Sequence, residues 1–334
     1  MVSPKSLPAF ILGIVLMASA AAARAQDVAI EQSAATEGDA PLEQVEVLGE
    51  RPGPQMWKVS KGDHVLWILG TLSPLPRDLK WRSKAVEEVI AHSQAVLSDE
   101  VDFDAGIGPI SGFRLYRQWR RVRNNADDAT LKDVLPGPLY ERFSRLKQKY
   151  APKDESLERL QPMFAGGRLF GKAVQARKLT SERYVQKEVR KLAKRHDVKI
   201  RRIKIPIEDP RGLLQVVGET PLKAQSICLD TTLSRLELDV STLAARAEAW
   251  AVGDVDALRE LPHVNQDAAC WAAVSDAPRI KQIGDRIRYA WIAAAEKDLE
   301  QNRSTFALLS IERLLGPEGL LATFQAKGYS VEGP

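Results

Sequence analysis

The segment WILGTLSPLP, residues 67–76, constrains the fold of this chain more than any other stretch. In it an apolar run ends in Gly-Thr, which is followed by Leu-Ser and by two prolines. This pattern is typical of a buried strand whose carboxyl end delivers the chain to a site. Ser73 stands at the position where such a site would carry a reactive or metal-binding side chain.

The segments around it predict an α/β fold with a mixed sheet. Residues 56–71 have the pattern of a β-hairpin around the turn Lys61-Gly62-Asp63. Long helical blocks separate further strands, which favours an α/β architecture, and these strands are expected at 95–104, 198–209, 305–311 and, as an edge strand, 329–332. The strand–turn–helix unit at 65–90 resembles the one at 305–327. We therefore expect a sheet of two related halves, opening with the hairpin and flanked by many helices.

The first 25 residues have the pattern of a cleaved signal peptide. Lys5 precedes an apolar stretch that ends in the small-x-small sequence Ala23-Arg24-Ala25. The alternative is a membrane anchor, but the run is shorter than the roughly 20 apolar residues that a span needs. We expect a periplasmic or secreted protein with no membrane span after signal cleavage. Residues 26–54 are acidic and poor in large apolar side chains, which predicts a flexible linker, and residues 55–334 form the expected domain.

Composition narrows the class of protein further. The chain is 44% hydrophobic and 28% charged, which is typical of a globular protein. Its net charge of +4 is too small to argue for nucleic-acid binding. Cys228 and Cys270 are the only cysteines, and export would permit their oxidation. A bridge between them would stabilise the fold by about 4 kcal/mol; the alternative is two buried free thiols.

One group of acidic residues could hold a metal, whereas the histidines are not spaced for one. Glu100, Asp102 and Asp104 alternate along one predicted strand, so they share a face and could bind a hard cation. The alternative is a solvated strand end. The histidines lie far apart in the sequence and none has the spacing of a zinc site, so we expect surface or packed side chains at His64, His92, His196 and His263.

Four segments together resemble the TraB/GumN family, which is related to the TIKI metalloproteases. They are MWKVSKGDHVLWILGTLSPLP, LSDEVD, AWAVGDVDAL and LLGPEGLLATFQAKGYSVE. The resemblance covers nearly all of residues 56–332 and implies an α/β fold in which two half-sites meet. Each half ends a strand with a Gly-x-x-His motif. The resemblance implies a hydrolytic centre that depends on a divalent metal. This centre is formed by those histidines, a Glu on an acidic strand and an Arg-Asn pair on a late helix.

This sequence departs from that pattern at both histidines. Gly70-Thr71-Leu72-Ser73 matches the first motif with Ser73 in place of the histidine, and Arg313 replaces the second histidine. The acidic strand keeps its Glu at position 100, and the Arg-Asn pair keeps only its arginine. The resemblance thus predicts a remnant cleft formed by Gly70, Thr71, Ser73, Glu100, Asp102, Arg286 and Arg313.

These replacements oppose metal chemistry. A serine hydroxyl is a poor ligand for the metals that imidazole binds, and Arg313 is always cationic, so its natural partner in the family geometry is Glu100. We therefore expect no bound metal and a non-catalytic pseudoenzyme whose cleft binds an envelope protein, a peptide or an anionic ligand. The alternative is a metal-dependent hydrolase or protease with an altered site centred on Glu100.

Overall fold

Six strands form one mixed sheet in the computed structural model, which describes residues 53–106, 108–180, 183–238, 240–315 and 319–333. The predicted signal peptide, and the predicted linker up to residue 52, lie outside the described residues. The strands are Met56–Lys61 (β1), His64–Thr71 (β2), Ala95–Asp104 (β3), Lys199–Pro206 (β4), Ser304–Ser310 (β5) and Ser330–Glu332 (β6).

The sheet has the order β4-β3-β5-β2-β1-β6. The first four strands in this order run parallel, whereas β1 is antiparallel to both β2 and β6. Lys61 pairs with His64 across the tight turn between β1 and β2, so the predicted hairpin is confirmed. The short last strand pairs with β1 at the edge of the sheet, as its sequence predicted.

Burial follows each strand's place in the sheet. Residues 305–309 of the central strand β5 are all buried, as expected of a parallel strand covered on both faces. The edge strand β4 instead alternates, with Ile203 and Ile205 inside and Arg202 and Lys204 more exposed. The continuous apolar run at residues 305–309 therefore forms a central strand, and the alternating segment at residues 199–206 forms an edge strand.

Helices flank the sheet and confirm the α/β class. Fourteen α-helical segments are described: Lys84–Ala91 (α1), Pro109–Val122 (α2), Leu131–Val134 (α3), Gly137–Tyr150 (α4), Pro162–Ala176 (α5), Tyr184–Arg195 (α6), Pro210–Gly218 (α7), Leu222–Glu237 (α8), Val240–Ala251 (α9), Val255–Glu260 (α10), Gln266–Ser275 (α11), Pro278–Gln301 (α12), Ile311–Leu315 (α13) and Leu320–Ala326 (α14).

The helices pack into two apolar clusters. The larger cluster joins both faces of the sheet to helices that include α1, α6 and α12, whose Trp291 and Ile292 are buried against it. The smaller cluster joins α3, α4, α5 and α8 around Phe143. None of the helices that the structure describes has both the length and the apolar character needed to cross a bilayer.

The two strand–turn–helix units predicted to be related lie side by side. β2 and β5 are parallel neighbours in register, with Gly70 opposite Leu309 and Thr71 opposite Ser310. Each strand leads into a helical segment, α1 after β2 and α13 after β5. Because parallel strands end at the same edge, both units deliver their last residues to one place.

A disulfide joins the helical blocks that the sequence paired. Cys228 on α8 and Cys270 on α11 are bonded, with their Cα atoms 4.4 Å apart. The prediction that the two cysteines lie close enough to bridge is confirmed. The bridge closes a loop that carries α9, α10 and His263.

Candidate functional site

Gly70 shapes the carboxyl end of β2. Its carbonyl oxygen accepts a 2.7 Å hydrogen bond from the buried indole Nε1 of Trp250. A Cβ atom at position 70 would lie 2.9 Å from the ring of Trp57, so a larger residue would collide with it. Thr71 is buried beside Ser310, the last residue of β5. The two strand ends that the resemblance assigns to one site are therefore neighbours.

Ser73 lies just beyond this end, at the wall of a small pocket. Its side-chain oxygen is buried and has no hydrogen-bond partner among the residues that the structure describes. Its carbonyl oxygen accepts a 2.9 Å hydrogen bond from Nη2 of Arg235. The pocket has a volume of about 20 Å³ and is lined by Leu72, Ser73, Pro74, Arg235, Leu238, Leu243, Arg246, Pro262, His263 and Val264. Ser73 thus contributes an unused hydroxyl group to a pocket with two arginines.

The two arginines are held by different means. The guanidinium of Arg235 stacks over the ring of Phe170 at 5.1 Å. Arg246 is buried, and its Nη1 donates to the carbonyl oxygens of Leu258 at 2.8 Å and Leu261 at 3.1 Å. Burial lowers the pKa of Arg246, but a guanidinium still carries its charge at neutral pH. The pocket therefore has two fixed positive charges.

His263 and Glu312 complete this electrostatic environment. Burial, together with the charges of Arg246 and Arg235, lowers the pKa of His263 to about 4, so the imidazole is neutral at neutral pH. Its Nε2 lies 3.8 Å from Oε1 of Glu312. Burial also raises the pKa of Glu312 above its ordinary value. Asp267 also acts on both His263 and Glu312, so two carboxyl groups, of which burial makes Glu312 harder to ionise, accompany the two guanidinium groups.

Glu100 lies in a different ion-pair network. Its Oε2 accepts from Nη2 of Arg190 at 2.8 Å and lies 2.9 Å from Nη2 of Arg202, while Arg183 Nε is 3.8 Å from Oε1. Arg202 also binds Asp102 at 3.3 Å. The expected partner, Arg313, forms no ion pair with Glu100 in the described part of the chain, so that prediction is wrong.

Arg313 interacts electrostatically with Asp99 instead. Its charge opposes the burial that raises the pKa of Asp99, and Nε2 of Gln186 donates to the same carboxylate at 3.1 Å. Both acids nevertheless contact α6, because Gln186 binds Asp99 and Arg190 binds Glu100; they differ in which arginines act on them. The register of β3 against β4 also shifts between Leu97 and Val101, and no sequence pattern predicted this shift.

Arg286 belongs to a third location, at the carboxyl end of β4. Its Nη2 donates to the carbonyl oxygen of Pro206 at 3.1 Å. It lines a cavity of about 170 Å³ with the ion pair between Arg279 and Asp209. The remnant cleft predicted from the resemblance is thus divided: Gly70, Thr71 and Ser73 share one place, Glu100 and Asp102 another, while Arg313 and Arg286 each have different partners.

The residues in these places do not fit a divalent metal. The Ser73 pocket offers a hydroxyl and an imidazole beside two guanidinium groups, which repel a cation. Glu100 and Asp102 share the positive charge of Arg202. Within the described ranges, no group of three or more His, Cys, Asp or Glu side chains is close enough to hold a metal.

The residues that sequence reasoning missed are Arg235, Arg246, Glu312 and Asp99. The two arginines lie in a helical block without a motif, so nothing local distinguished them. Asp99 did carry a signal, because it directly follows the apolar segment Ala95–Leu97 and Ser98 of β3. His263 was assigned as a surface or packed side chain, and the structure packs it between arginines in the pocket wall.

The fold and this site define an α/β protein with an arginine-lined pocket where neighbouring parallel strands end. The chain belongs to the TraB/PrgY/gumN family, whose family model matches residues 55–333. The resemblance seen in the sequence is thereby confirmed over nearly the whole predicted domain. No individual curated protein and no solved structure matches the chain.

Proposed function

We propose that this chain is an exported, non-catalytic TraB/PrgY/gumN protein that binds an anionic group of an envelope protein, peptide or small ligand. The observation that carries this proposal is the pair of guanidinium groups beside the unpartnered hydroxyl of Ser73. Charge-assisted hydrogen bonds from arginine to a carboxylate or phosphate are among the strongest that a protein offers. A hydroxyl donor next to them suits the same ligand.

The size of the pocket limits what enters it. A cavity needs roughly 10–15 Å³ to hold one water molecule, so a volume of about 20 Å³ accepts one small polar group. Leucine, proline and valine side chains form much of the remaining wall. The ligand is therefore a larger molecule that inserts one carboxylate or phosphate oxygen and leaves its body outside.

Binding should be visible at His263 and should depend on charge. Acetate, inorganic phosphate and a short peptide with a free carboxyl terminus are titrated into the full chain while the imidazole resonances are followed by NMR. An anion beside the ring raises the pKa of His263 from about 4, because it offsets Arg235 and Arg246. Loss of one charged hydrogen bond, in Arg235→Gln, should weaken binding about tenfold. Arg235→Lys should bind with intermediate affinity.

The matched control is Arg279→Gln, which removes an arginine from the separate cavity near β4. It should leave the His263 response unchanged. Calorimetric titration with manganese, cobalt and zinc provides the opposing measurement. Micromolar metal binding that Glu100→Gln abolishes, or anion binding that is equal in the Arg235→Gln and parent proteins, would overturn the proposal.

The alternative function is hydrolysis by an altered centre at Glu100. One observation favours it: burial raises the pKa of the adjacent Asp99, and a carboxyl group tuned in this way is typical of an acid–base residue. Against it, Glu100 already binds Arg190 and Arg202, so its oxygens are engaged. A panel of peptide and ester substrates, assayed with the parent, Glu100→Gln and Asp99→Asn, distinguishes the two. Turnover lost in both variants would establish the alternative, and no turnover above background would exclude it for that panel.

A further inference from the structure

Helix α2 presents large apolar side chains to solvent. Ile110 is 73% exposed, Phe113 63% and Tyr116 57%. These residues are three apart in sequence, so they follow one side of the helix. An exposed patch of this kind marks an interaction site more often than a chance arrangement.

The opposite side of the same helix is anchored to the protein. Nε2 of Gln118 donates to the carbonyl oxygen of Arg211 at 2.9 Å, and the ring of Trp119 packs edge-on against Phe164 at 5.1 Å. Val122 packs closely against Gly218 of α7. These contacts hold the helix in a defined orientation. The exposure of its apolar side chains is therefore not a result of fraying at the end of the helix.

The exposed side is also strongly basic. Arg114, Arg117, Arg120 and Arg121 are exposed on α2, and the sequence has no acidic residue between Asp104 and Asp127. Arg117 and Arg120 follow Phe113 at helical spacing, so charge and apolar surface share one face. We call Ile110, Phe113, Tyr116, Arg114, Arg117 and Arg120 the α2 face.

We propose that the α2 face binds the surface of an anionic phospholipid bilayer. A basic helix with aromatic and aliphatic side chains lies in the interface, where apolar groups enter the acyl boundary and arginines contact headgroups. The same partner satisfies both features of the face. This inference is independent of the Ser73 pocket and concerns where the protein is held, which the proposed binding function does not address.

Other occupants match the face less well. A second copy of the chain would place the arginines of one α2 against those of the other, and such like-charge contact is unfavourable. Nucleic acid would suit the arginines and aromatic rings, but it offers nothing apolar to cover Ile110, which is the most exposed of the three apolar side chains.

Vesicle co-sedimentation of the exported full chain, with its N-terminus determined by mass spectrometry, tests the inference. Vesicles of phosphatidylcholine alone are compared with vesicles that also contain phosphatidylglycerol. The parent should bind the anionic vesicles and lose binding as salt is added. Ile110→Ser with Phe113→Ser should weaken binding at least tenfold, and each of Arg117→Gln and Arg120→Gln by about fivefold.

The matched control is Leu222→Ser with Ile227→Ser, which removes another exposed apolar pair on a helix elsewhere in the fold. It should bind vesicles as the parent does, and circular dichroism should show equal helix content in all variants. Equal binding by the Ile110 and Phe113 variant would refute the inference. So would tighter binding of the parent to single-stranded DNA than to vesicles, or self-association that the α2 substitutions abolish.

Discussion

Removal of the Cys228–Cys270 bridge is the perturbation whose effect follows most directly from the structure. The bridge joins α8 to α11, and its two cysteines are 42 residues apart in sequence. The segment that it closes carries Arg246, which caps the carbonyl groups of Leu258 and Leu261, and His263. Reduction of the disulfide therefore affects both the stability of the fold and one wall of the Ser73 pocket.

The magnitude comes from the length of the closed loop. A cross-link removes conformational entropy from the unfolded chain, and for a loop of about 42 residues the loss corresponds to about 4 kcal/mol. For a domain of this size that difference lowers Tm by about 7 °C. The unfolded state also expands when the link is removed, so the urea m-value should rise.

The assay is urea unfolding of the parent with and without reductant, followed by tryptophan fluorescence. Cys228→Ala with Cys270→Ala should match the reduced parent and should not respond to reductant. Single-cysteine variants are avoided because their free thiol can form dimers. Equal unfolding midpoints and equal m-values for oxidised and reduced parent would show that the loop-entropy reasoning does not apply to this segment.

Two further predictions concern single groups whose environments the structure determines. Burial and two arginines lower the pKa of His263 from its ordinary value of 6.5 to about 4. As the pH falls, the unfolded chain therefore takes up the proton before the folded chain does. The free energy of unfolding should be highest above pH 6.5 and should fall toward pH 4 by up to about 1.4 kcal/mol per pH unit. Urea unfolding across this range should show a flatter profile for His263→Gln, and an unchanged profile would contradict the assigned pKa. Arg201 pairs with the buried Asp298. Arg201→Met should cost ~3 kcal/mol, because it leaves a buried carboxylate unpaired, and adding Asp298→Leu should recover much of the loss; a double variant as unstable as the single one would refute this account.

The strands and hairpin were predictable because their signals are local. Burial of β5 on both faces is encoded in its continuous apolar run, and the turn at Gly62, with φ of 62°, in a residue that favours this conformation. Cys228 and Cys270 could be paired because no other cysteine competes. The last strand was recognised from a few residues, and the structure places it at the edge of the sheet.

The site was predictable only where it follows from strand order. Gly70, Thr71 and Ser73 lie at the end of β2 in both the sequence analysis and the structure. The pairing of Arg313 with Glu100 was wrong, because an inference from family motifs carries no information about which distant basic side chains pack against each acid of β3. Asp99 and Glu100 are adjacent in sequence, yet one is near Arg313 and the other binds Arg190 and Arg202.

By itself, the sequence determined the α/β class, the hairpin, the disulfide partners and the family of this protein, since each rests on local periodicity, turn chemistry or motif order. Only the tertiary structure decided the composition and charge of the pocket. Arg235 reaches the Ser73 carbonyl across 162 positions of sequence, and His263 owes its low pKa to burial beside two arginines. Solvation and charge at a site depend on packing between distant segments, and no local pattern specifies that packing.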